Sequence, residues 1–395
     1  MQLNATANWG STGKIAEQIG IKAIEQGWES YIAYGRNMNP SENKLIKIGN
    51  KINVYEHYLE NKLLDNEGLA SRIVTKNFIK EIEKIKPNLI HLHNIHDHWL
   101  NYRILFSYLK TLQIPVVWTQ HDCWAFTGHC AHFDSIKCNK WKTGCYNCPL
   151  KSHYSLDHSR RNYELKKELF NSLKSLTIVP VSNWLSKLVK ESHLKGNSIR
   201  TISNAVDLSV FKPQESNIKE EYGLADKKIL LAVSSVWPNY KGLKDYIHLS
   251  NYLTEDFQIV LVGLSKEQIN KLPPNILGLE RTNNVQDLVK LYSAADIVLN
   301  FSYLETFGLT TVEGFACGTP SIVYNKTASP ELISPETGVV VEAGDYESII
   351  QAIEQICTKG KTYYSSQCIE RAKKMYNIKD RFQDYINLYN ELIIK

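Results

Sequence analysis

The sequence predicts an α/β protein built from two doubly wound domains of parallel strands. Short apolar runs alternate with longer segments of helical periodicity, which is typical of a sheet covered on both faces. A polar stretch over residues 203–222 interrupts this alternation. The 395 residues are enough for two or three domains at about 100–200 residues each. We therefore predict an N-terminal domain over residues 1–203, a C-terminal domain over 204–375 and a closing helix over 376–395.

The composition indicates a globular protein. With 43% hydrophobic and 22% charged residues the chain is neither disordered nor fibrous, and a net charge of +5 is too small for a dedicated nucleic-acid binder of this size. No apolar stretch reaches the roughly 18–20 residues that a membrane span requires, and the N-terminus lacks the layout of a signal peptide. We expect a cytoplasmic protein whose eight cysteines form no disulfide framework.

Five short, strongly apolar runs predict the strands of the first domain. They cover residues 2–5, 31–34, 88–92, 115–118 and 177–181. An amphipathic helix is predicted over residues 75–85, because apolar residues recur there at helical spacing until Pro87 ends the run. The first strand is short for such a domain, so we expect the natural start of the chain to lie upstream.

The second domain repeats this pattern. Its predicted strands cover residues 229–233, 258–263, 297–300 and 321–324, and after Gly344 only helices are predicted. In the last helix, apolar residues recur every three or four positions, namely Phe382, Tyr385, Ile386, Tyr389 and Ile393. We expect this helix to pack across both domains. Two such domains facing across a cleft would place a ligand at the carboxyl ends of both sheets.

Residues 300–320 carry the most informative motif. A strand leads to a turn at Gly308 and then to an apolar helix, with Glu305 before the turn and Glu313 inside the helix. The free N–H groups and the partial positive charge at such a helix start suit a diphosphate, and glycine lets the phosphates come close. Glu305 can then face the group beyond the diphosphate, while Glu313 can reach the hydroxyls of a ribose.

This stretch resembles the Glu-x7-Glu signature of the family-4 retaining glycosyltransferases, which have the GT-B fold. The resemblance implies that Glu305 contacts the donor sugar near the reacting centre and that Glu313 binds the nucleotide ribose. It also implies that the turn residues Phe307, Gly308 and Leu309 bind the donor.

Two further segments are similar to the same family. Residues 8–16 resemble its glycine loop between the first strand and the first helix, which implies that Gly13 lies at the donor phosphate and transferred sugar. Residues 202–213 resemble its passage into the second domain, with Ala205 in place of the usual glycine.

The loop over residues 234–243 resembles the segment in which the family places an Arg and a Lys on the donor diphosphate. Only Lys241 matches here. The resemblance therefore implies that Lys241 and the helix start stabilise the negative charge of the leaving group, with Arg281 as a further candidate. A solvated surface lysine is the alternative.

Histidines follow two of the predicted strands. His121 and Asp122 match the family's His-Asp position, which implies that His121 contacts the donor sugar through its ring or its carbonyl; a purely structural histidine is the alternative. The histidines between residues 91 and 98 end another strand, and we expect them to line the acceptor side. Alternate strand residues point to opposite faces, so we do not expect one shared metal ion.

Five of the eight cysteines fall between residues 123 and 148. Cys145 and Cys148 form a Cys-x-x-Cys knuckle, and with Cys130 and Cys138 they predict a four-thiolate structural zinc site that pins a polar insertion over residues 123–153. Buried reduced thiols or a redox pair are the alternatives.

Two basic amphipathic segments, residues 160–170 and 184–190, lie on the expected acceptor side. They are interpreted either as solvated helix faces or as a dock on an anionic bilayer, which would suit a lipid-linked acceptor.

Together the resemblance implies a retaining glycosyltransferase that moves a sugar from a nucleoside-diphosphate donor, expected to be a UDP-sugar, to a glycan or a lipid-linked glycan. Capsule, exopolysaccharide or lipopolysaccharide assembly at the inner face of the cytoplasmic membrane is the expected setting. No Asp-x-Asp triplet occurs in the sequence, so we expect catalysis to need no metal cofactor. The alternatives are a sugar-nucleotide-binding scaffold that has lost turnover and a GT-B nucleotide-sugar epimerase.

Overall fold

The computed structural model describes residues 1–150 and 156–394 and divides them into two compact units. The first unit comprises Met1–Ile202 and the chain from Phe382 onward, and the second comprises Ser203–Arg381. The division between residues 202 and 203 lies one residue from the predicted domain boundary. Each unit is a parallel sheet with helical connections, the α/β arrangement that the sequence predicts.

The first unit contains a seven-stranded sheet in the order β3-β2-β1-β4-β5-β6-β7. Its strands are β1 (Gln2–Leu3), β2 (Tyr31–Tyr34), β3 (Lys44–Lys47), β4 (Ile90–Leu92), β5 (Val116–Gln120), β6 (Leu176–Pro180) and β7 (Ser198–Ile199). Its helices are α1 (Gly10–Glu25), α2 (Lys51–Leu64), α3 (Arg72–Ile85), α4 (Tyr102–Leu109), α5 (Ser159–Phe170) and α6 (Asn183–Glu191). In the predicted insertion the described residues form short 3₁₀ turns, and residues 151–153 lie outside the described residues.

The second unit contains a six-stranded sheet in the order β10-β9-β8-β11-β12-β13. Its strands are β8 (Lys228–Val233), β9 (Phe257–Val262), β10 (Ile276–Leu279), β11 (Ile297–Asn300), β12 (Ser321–Tyr324) and β13 (Gly338–Val341). Its helices are α7 (Ile218–Glu221), α8 (Leu243–Leu249), α9 (Lys266–Ile269), α10 (Val285–Ala294), α11 (Leu309–Ala316), α12 (Tyr346–Lys359) and α13 (Lys361–Tyr376), and helix α14 (Ile378–Ile393) closes the chain.

All nine predicted strands are present, and the four that the sequence analysis missed lie at the edges of the sheets. They are β3, β7, β10 and β13. A central strand is covered on both faces and therefore reads as a continuous apolar run. The edge strand β3 is more polar, since the exposed Lys44 and Lys47 flank two half-buried residues, and β7 has only two residues. The edge strands β10 and β13 are apolar and as long as β11, so neither polarity nor length explains why they were missed.

The last helix buries its apolar side in the first unit. Tyr389 Oη lies 2.5 Å from Nδ1 of His91 on β4, and Tyr385 Oη lies 3.1 Å from Oγ1 of Thr119 on β5. Ile393, which the sequence pattern placed on the same apolar side, is 41% exposed because the helix ends at that residue.

Helices α5 and α6 turn their apolar faces inward. Tyr163 and Phe170 of α5 and Leu185 and Val189 of α6 are buried. The faces left to solvent are therefore polar and basic, as in a solvated helix face, and docking of these faces on an anionic bilayer stays a prediction. No helix within the described residues is long and apolar enough to span a bilayer.

Candidate active site

The turn between β11 and α11 requires a glycine. Gly308 has φ +102°, a left-handed conformation, and a Cβ atom there would lie 3.0 Å from Cδ1 of Leu332. The following helix α11 receives no side-chain cap from the described residues. The N–H of Thr311 donates to the carbonyl of Gly308 at 3.1 Å, so the N–H groups that precede it and the partial positive charge of the helix are available to an anionic ligand.

Lys241 and Glu305 form an ion pair beside this turn. Lys241 Nζ donates to Glu305 Oε1 at 2.5 Å, and the two side chains are only 23% and 14% exposed. The backbone of Glu305 is fixed as well, because its N–H donates to Thr327 Oγ1 at 2.8 Å and its carbonyl accepts from the N–H of Ala328 at 3.2 Å. A cation and a carboxylate are thus held at defined positions in a partly dry environment.

Close packing between two loops positions Lys241. Gly242 has φ +73°, and a Cβ atom there would lie 2.3 Å from the carbonyl oxygen of Phe301. The N–H of Tyr303 donates to the carbonyl of Tyr240 at 2.8 Å, and the hydroxyl of Tyr246 accepts from the N–H of Phe301 at 2.9 Å. The loop after β8 is therefore joined to the loop after β11.

The other residues that the sequence predicts to bind the donor lie in or near α11, except for Arg281. Glu313 lies one turn inside the helix, where its Oε2 accepts from the hydroxyl of Tyr292 at 2.8 Å. Phe307 is buried and packs edge-to-face on Tyr376 at 5.6 Å, so it can offer a ligand its backbone but not its ring. Leu309 is half-buried, and Arg281 is exposed after β10.

In the first unit, His121 belongs to a chain of buried polar groups. Its Nε2 lies 3.1 Å from Nδ1 of His93, whose Nε2 lies 3.0 Å from Oε1 of Gln2. Gln2 donates from Nε2 to the carbonyl of Ala16 at 2.7 Å. Burial lowers the pKa of His121 to about 4 and holds the pKa of His93 well below its ordinary value, so both rings are neutral at neutral pH.

Asp122 is paired with His96 and not with its neighbour His121. Asp122 Oδ2 lies 3.0 Å from His96 Nε2, and Oδ1 accepts from the N–H of Trp124 at 2.8 Å. Burial alone would lower the pKa of His96, but the carboxylates of Asp97, Asp122 and Glu67 raise it above the ordinary value. No sequence signal separated His96 from the other histidines between residues 91 and 98.

Gly13 lies inside helix α1 and not in a loop before it, which corrects the expected glycine loop. The helix begins at Gly10, after Trp9 in extended conformation. A Cβ atom on Gly13 would lie 2.7 Å from Oγ1 of Thr6. The absence of a side chain thus allows the helix to pack against the segment after β1.

The four cysteines of the predicted zinc set line one small pocket with Phe133 and Trp141. Within the described residues, the one group of three metal-binding side chains with all ligand atoms within 4.8 Å of one another is Asp65, His129 and Asp157. The four thiols therefore surround the pocket without forming a closed cage. Zinc binding by Cys130, Cys138, Cys145 and Cys148 stays a prediction.

Lys166 on α5 is buried beneath the insertion. Its Nζ donates to the carbonyls of Trp124 at 2.8 Å and of Thr127 at 3.2 Å. Burial lowers the pKa of this lysine to about 8. A charged group inside the unit is thus satisfied by backbone oxygens at the start of the insertion.

Two family models match consecutive parts of the chain. The model described as Glycosyltransferase Family 4 matches residues 16–210, and the model described as Glycosyl transferases group 1 matches residues 214–375. The two parallel α/β units define the GT-B class of fold. The chain therefore belongs to the GT-B glycosyltransferases that these two models describe.

Individual relatives agree with this assignment. The chain is 22% identical to the putative colanic acid biosynthesis glycosyl transferase WcaC of Escherichia coli K12, with 99% of each chain covered. It is 32% identical to N-acetyl-alpha-D-glucosaminyl L-malate synthase of Bacillus anthracis over 42% of this chain and 47% of the relative.

Solved structures share the fold over the full length. Sucrose-phosphate synthase from Thermosynechococcus elongatus has a TM-score of 0.74 at 16% identity, covering 100% of this chain and 98% of that one. HepE of Anabaena in complex with UDP-glucose has a TM-score of 0.67 at 14% identity, with 99% of each chain covered.

Proposed function

We propose that this protein is a retaining glycosyltransferase that transfers a sugar from a UDP-sugar to a glycan or lipid-linked glycan in bacterial surface polysaccharide assembly. The observation that carries the proposal is the Lys241–Glu305 ion pair beside the uncapped start of α11. A cation and a helix N-terminus stabilise a leaving diphosphate, and a fixed carboxylate can contact the group attached to it.

In the proposed reaction, the bond between the anomeric carbon and the diphosphate oxygen breaks as the acceptor hydroxyl bonds to the same face of that carbon. The hydroxyl proton passes to the departing phosphate, so UDP leaves with the proton and the configuration is retained. Lys241 and the N–H groups of α11 offset the charge that develops on the diphosphate. Glu305 positions the sugar, Glu313 binds the ribose, and His121 contacts a sugar hydroxyl.

The expected pathway and donor rest on the relatives. The WcaC relative is named for colanic acid biosynthesis, and the HepE neighbour was solved with UDP-glucose. Both names suit an enzyme that uses a UDP-sugar and builds a surface polysaccharide. We place the protein in the cytoplasm, where nucleotide sugars are supplied, at the inner face of the membrane.

A thermal-shift panel of UDP, GDP, ADP and their sugar conjugates tests the donor site. A ligand at about 100 times its Kd stabilises the fold by roughly 2.7 kcal/mol, so selective stabilisation by the uridine compounds is expected. Stabilisation by another nucleotide family would replace the UDP assignment. No stabilisation by any of them would favour the scaffold alternative.

Product analysis tests the reaction. UDP release is expected to depend on an added glycan acceptor, and NMR of the new linkage is expected to show the anomeric configuration of the donor. An inverted anomer would contradict the retaining mechanism. Release of UDP and free sugar without an acceptor would favour the epimerase alternative.

The proposal includes contact with an anionic membrane, for which helix α2 offers a better surface than α5 or α6. The exposed apolar side chains of Ile52, Tyr55, Leu59 and Leu63 recur every three or four residues along α2, and the exposed lysines Lys51 and Lys62 are the chain neighbours of the first and the last of them. Apolar side chains flanked by cations suit the interface of a bilayer with anionic headgroups.

Vesicle flotation separates the two surfaces. Wild-type protein is expected to bind phosphatidylglycerol vesicles and not phosphatidylcholine vesicles, and Ile52→Ser with Leu59→Ser is expected to reduce that binding. The comparison variant is Lys187→Ala with Lys190→Ala on α6. Loss of vesicle binding in this variant alone would show that α6, and not α2, contacts the membrane. If the wild-type protein does not bind the vesicles, membrane contact is no longer part of the proposal.

A structural zinc ion on Cys130, Cys138, Cys145 and Cys148 is also proposed. Zinc holds thiolates at about 2.3 Å, so binding would draw the four sulfurs around their shared pocket closer together. Elemental analysis of protein purified without chelators is expected to find about one zinc per chain, as for one structural site. The Cys148→Ser variant is expected to lose this zinc ion, and the Cys357→Ser variant, which lies outside the cluster, is expected to keep it. Wild-type protein that contains no zinc would contradict the zinc site and favour reduced thiols or a redox pair.

A further inference from the structure

The hydrogen-bond chain behind His121 determines where the proton of that ring lies. Gln2 is the starting point, because only its amide N–H₂ can donate to the carbonyl of Ala16, at 2.7 Å. Its amide oxygen is therefore the atom that faces Nε2 of His93 at 3.0 Å. Since a carbonyl oxygen can only accept, Nε2 of His93 carries a proton.

The next link follows from the charge of His93. Its ring is buried between the rings of His91 and His121, with centroids 4.0 Å and 5.4 Å away, and both of its nitrogens are already bonded to neutral groups. No carboxylate among the described residues bonds to it, and its burial away from water disfavours an imidazolium. Nδ1 of His93 is consequently an acceptor.

The atom that donates to it is Nε2 of His121, at 3.1 Å. His121 is neutral at neutral pH, so its other nitrogen has no proton. Within the described residues Nδ1 of His121 has no hydrogen-bond partner, and the residue is partly exposed. This nitrogen is thus a bare acceptor directed away from His93.

We infer that Gln2 and His93 are positioning residues that fix His121 as the Nε2–H tautomer, so that Nδ1 accepts a hydrogen bond from a hydroxyl of the transferred sugar. The identity of that ligand rests on the proposed function, whereas the tautomer does not. A bare Nδ1 cannot donate to a phosphate oxygen. The chain therefore selects a sugar hydroxyl over the diphosphate as the partner of His121.

Long-range ¹H–¹⁵N correlation of the full-length protein labelled with ¹⁵N-histidine tests the tautomer without any ligand. The His121 signals are assigned by their loss in His121→Asn. A proton on Nε2 and none on Nδ1 is expected in the wild-type protein. A proton on Nδ1 would overturn the inference, and this measurement needs no variant of the chain behind His121.

The Gln2→Glu substitution is expected to reverse the direction of the hydrogen bond between His93 and His121. The carboxylate favours a doubly protonated His93, whose Nδ1 then donates to Nε2 of His121 and moves the His121 proton to Nδ1. Gln18→Glu on α1 adds the same charge and should leave the tautomer unchanged. An unchanged His121 tautomer in Gln2→Glu would overturn the role of Gln2.

Kinetic measurements test separately whether the His121 tautomer contributes to donor binding. Gln2→Glu is expected to raise the donor KM about tenfold, as for one lost hydrogen bond, with UDP affinity unchanged. A switched tautomer with an unchanged donor KM would overturn the acceptor role of Nδ1, because a sugar hydroxyl can also accept a hydrogen bond from a protonated Nδ1. If the wild-type protein transfers no sugar at all, the proposed function is overturned but the assignment of the His121 tautomer is not.

Discussion

The donor loops of the second unit and the histidine chain of the first unit are constructed in opposite ways. The donor loops set a charged pair, Lys241 and Glu305, beside a helix N-terminus. The histidine chain consists of neutral groups, Gln2, His93 and His121, joined by buried hydrogen bonds. A departing diphosphate is stabilised by charge, whereas a sugar hydroxyl is recognised by an acceptor with a defined proton state. The difference predicts that the two regions respond differently to mutation and to pH.

The largest effect is expected for Glu305→Gln. The substitution keeps the shape of the side chain but removes its charge, and loss of one positioned electrostatic group costs about 10²–10³-fold in kcat. UDP affinity should change little, because Lys241 and α11 remain. Turnover by UDP release and affinity by calorimetry give the two values.

The matched control for Glu305→Gln is Glu354→Gln, an exposed residue on α12 of the same unit. It should behave like the wild-type enzyme. Full turnover in Glu305→Gln would contradict the charge-based description of the donor loops.

Gly242→Ala tests whether loop packing positions Lys241. The new Cβ atom would lie 2.3 Å from the carbonyl of Phe301, and the residue would keep a left-handed φ of +73°. We expect a loss of roughly 1–3 kcal/mol in the free energy of unfolding together with weaker UDP binding. Gly223→Ala has a similar φ of +66° with nothing within 4 Å, so it separates backbone strain from the clash. Equal effects in urea unfolding would show that the loop contact contributes nothing.

Glu313→Ala should act on binding more than on turnover. The residue lies one turn inside α11, where Tyr292 already holds its carboxylate at 2.8 Å. Removal of the ribose contact that we propose for Glu313 is expected to raise the Kd for UDP about tenfold, as for one hydrogen bond to a charged group, with kcat at saturating donor nearly unchanged. A fall in kcat with an unchanged Kd would move Glu313 to the reacting centre.

The smallest effect is expected from pH. Burial lowers the pKa of His121 to about 4, so its ring stays neutral as the pH falls from 8 to 6 and becomes charged only as the pH approaches 4. Turnover should therefore show no loss due to His121 between pH 6 and pH 8. The check is the pH profile of wild-type protein against His121→Asn. An acid limb near pH 6.5 that disappears in the variant would mean that the ring titrates in the working range.

The donor loops could be predicted from the sequence because their residues are close together along the chain. Glu305, Gly308 and Glu313 lie on one strand-turn-helix segment, so their spacing fixes their relative positions. Lys241 is distant in sequence but carries its own loop motif. What the sequence could not show is the close approach of Gly242 to Phe301, which depends on the pairing of β8 with β11.

The histidine chain could not be predicted, because it unites residues from β1, β4 and β5 that only the order of the sheet brings together. His121 and Asp122 are neighbours in the sequence, yet His121 bonds to His93 and Asp122 bonds to His96. Gln2 carried no signal at all, since a glutamine in a short apolar strand resembles an ordinary polar interruption. The edge strand β3 was missed for a related reason, because its exposed Lys44 and Lys47 reflect its place at the edge of the sheet.

Lys166 has a consequence for how this enzyme can diversify. Its ammonium group joins helix α5, which follows the insertion, to the carbonyls of Trp124 and Thr127 at the start of the insertion. The two ends of the insertion are thus clamped together without a covalent bond. The segment between them can change in length and sequence over evolution without displacing His121. The insertion is therefore a place where the chain can vary while β5 and α5, on either side of it, keep their positions.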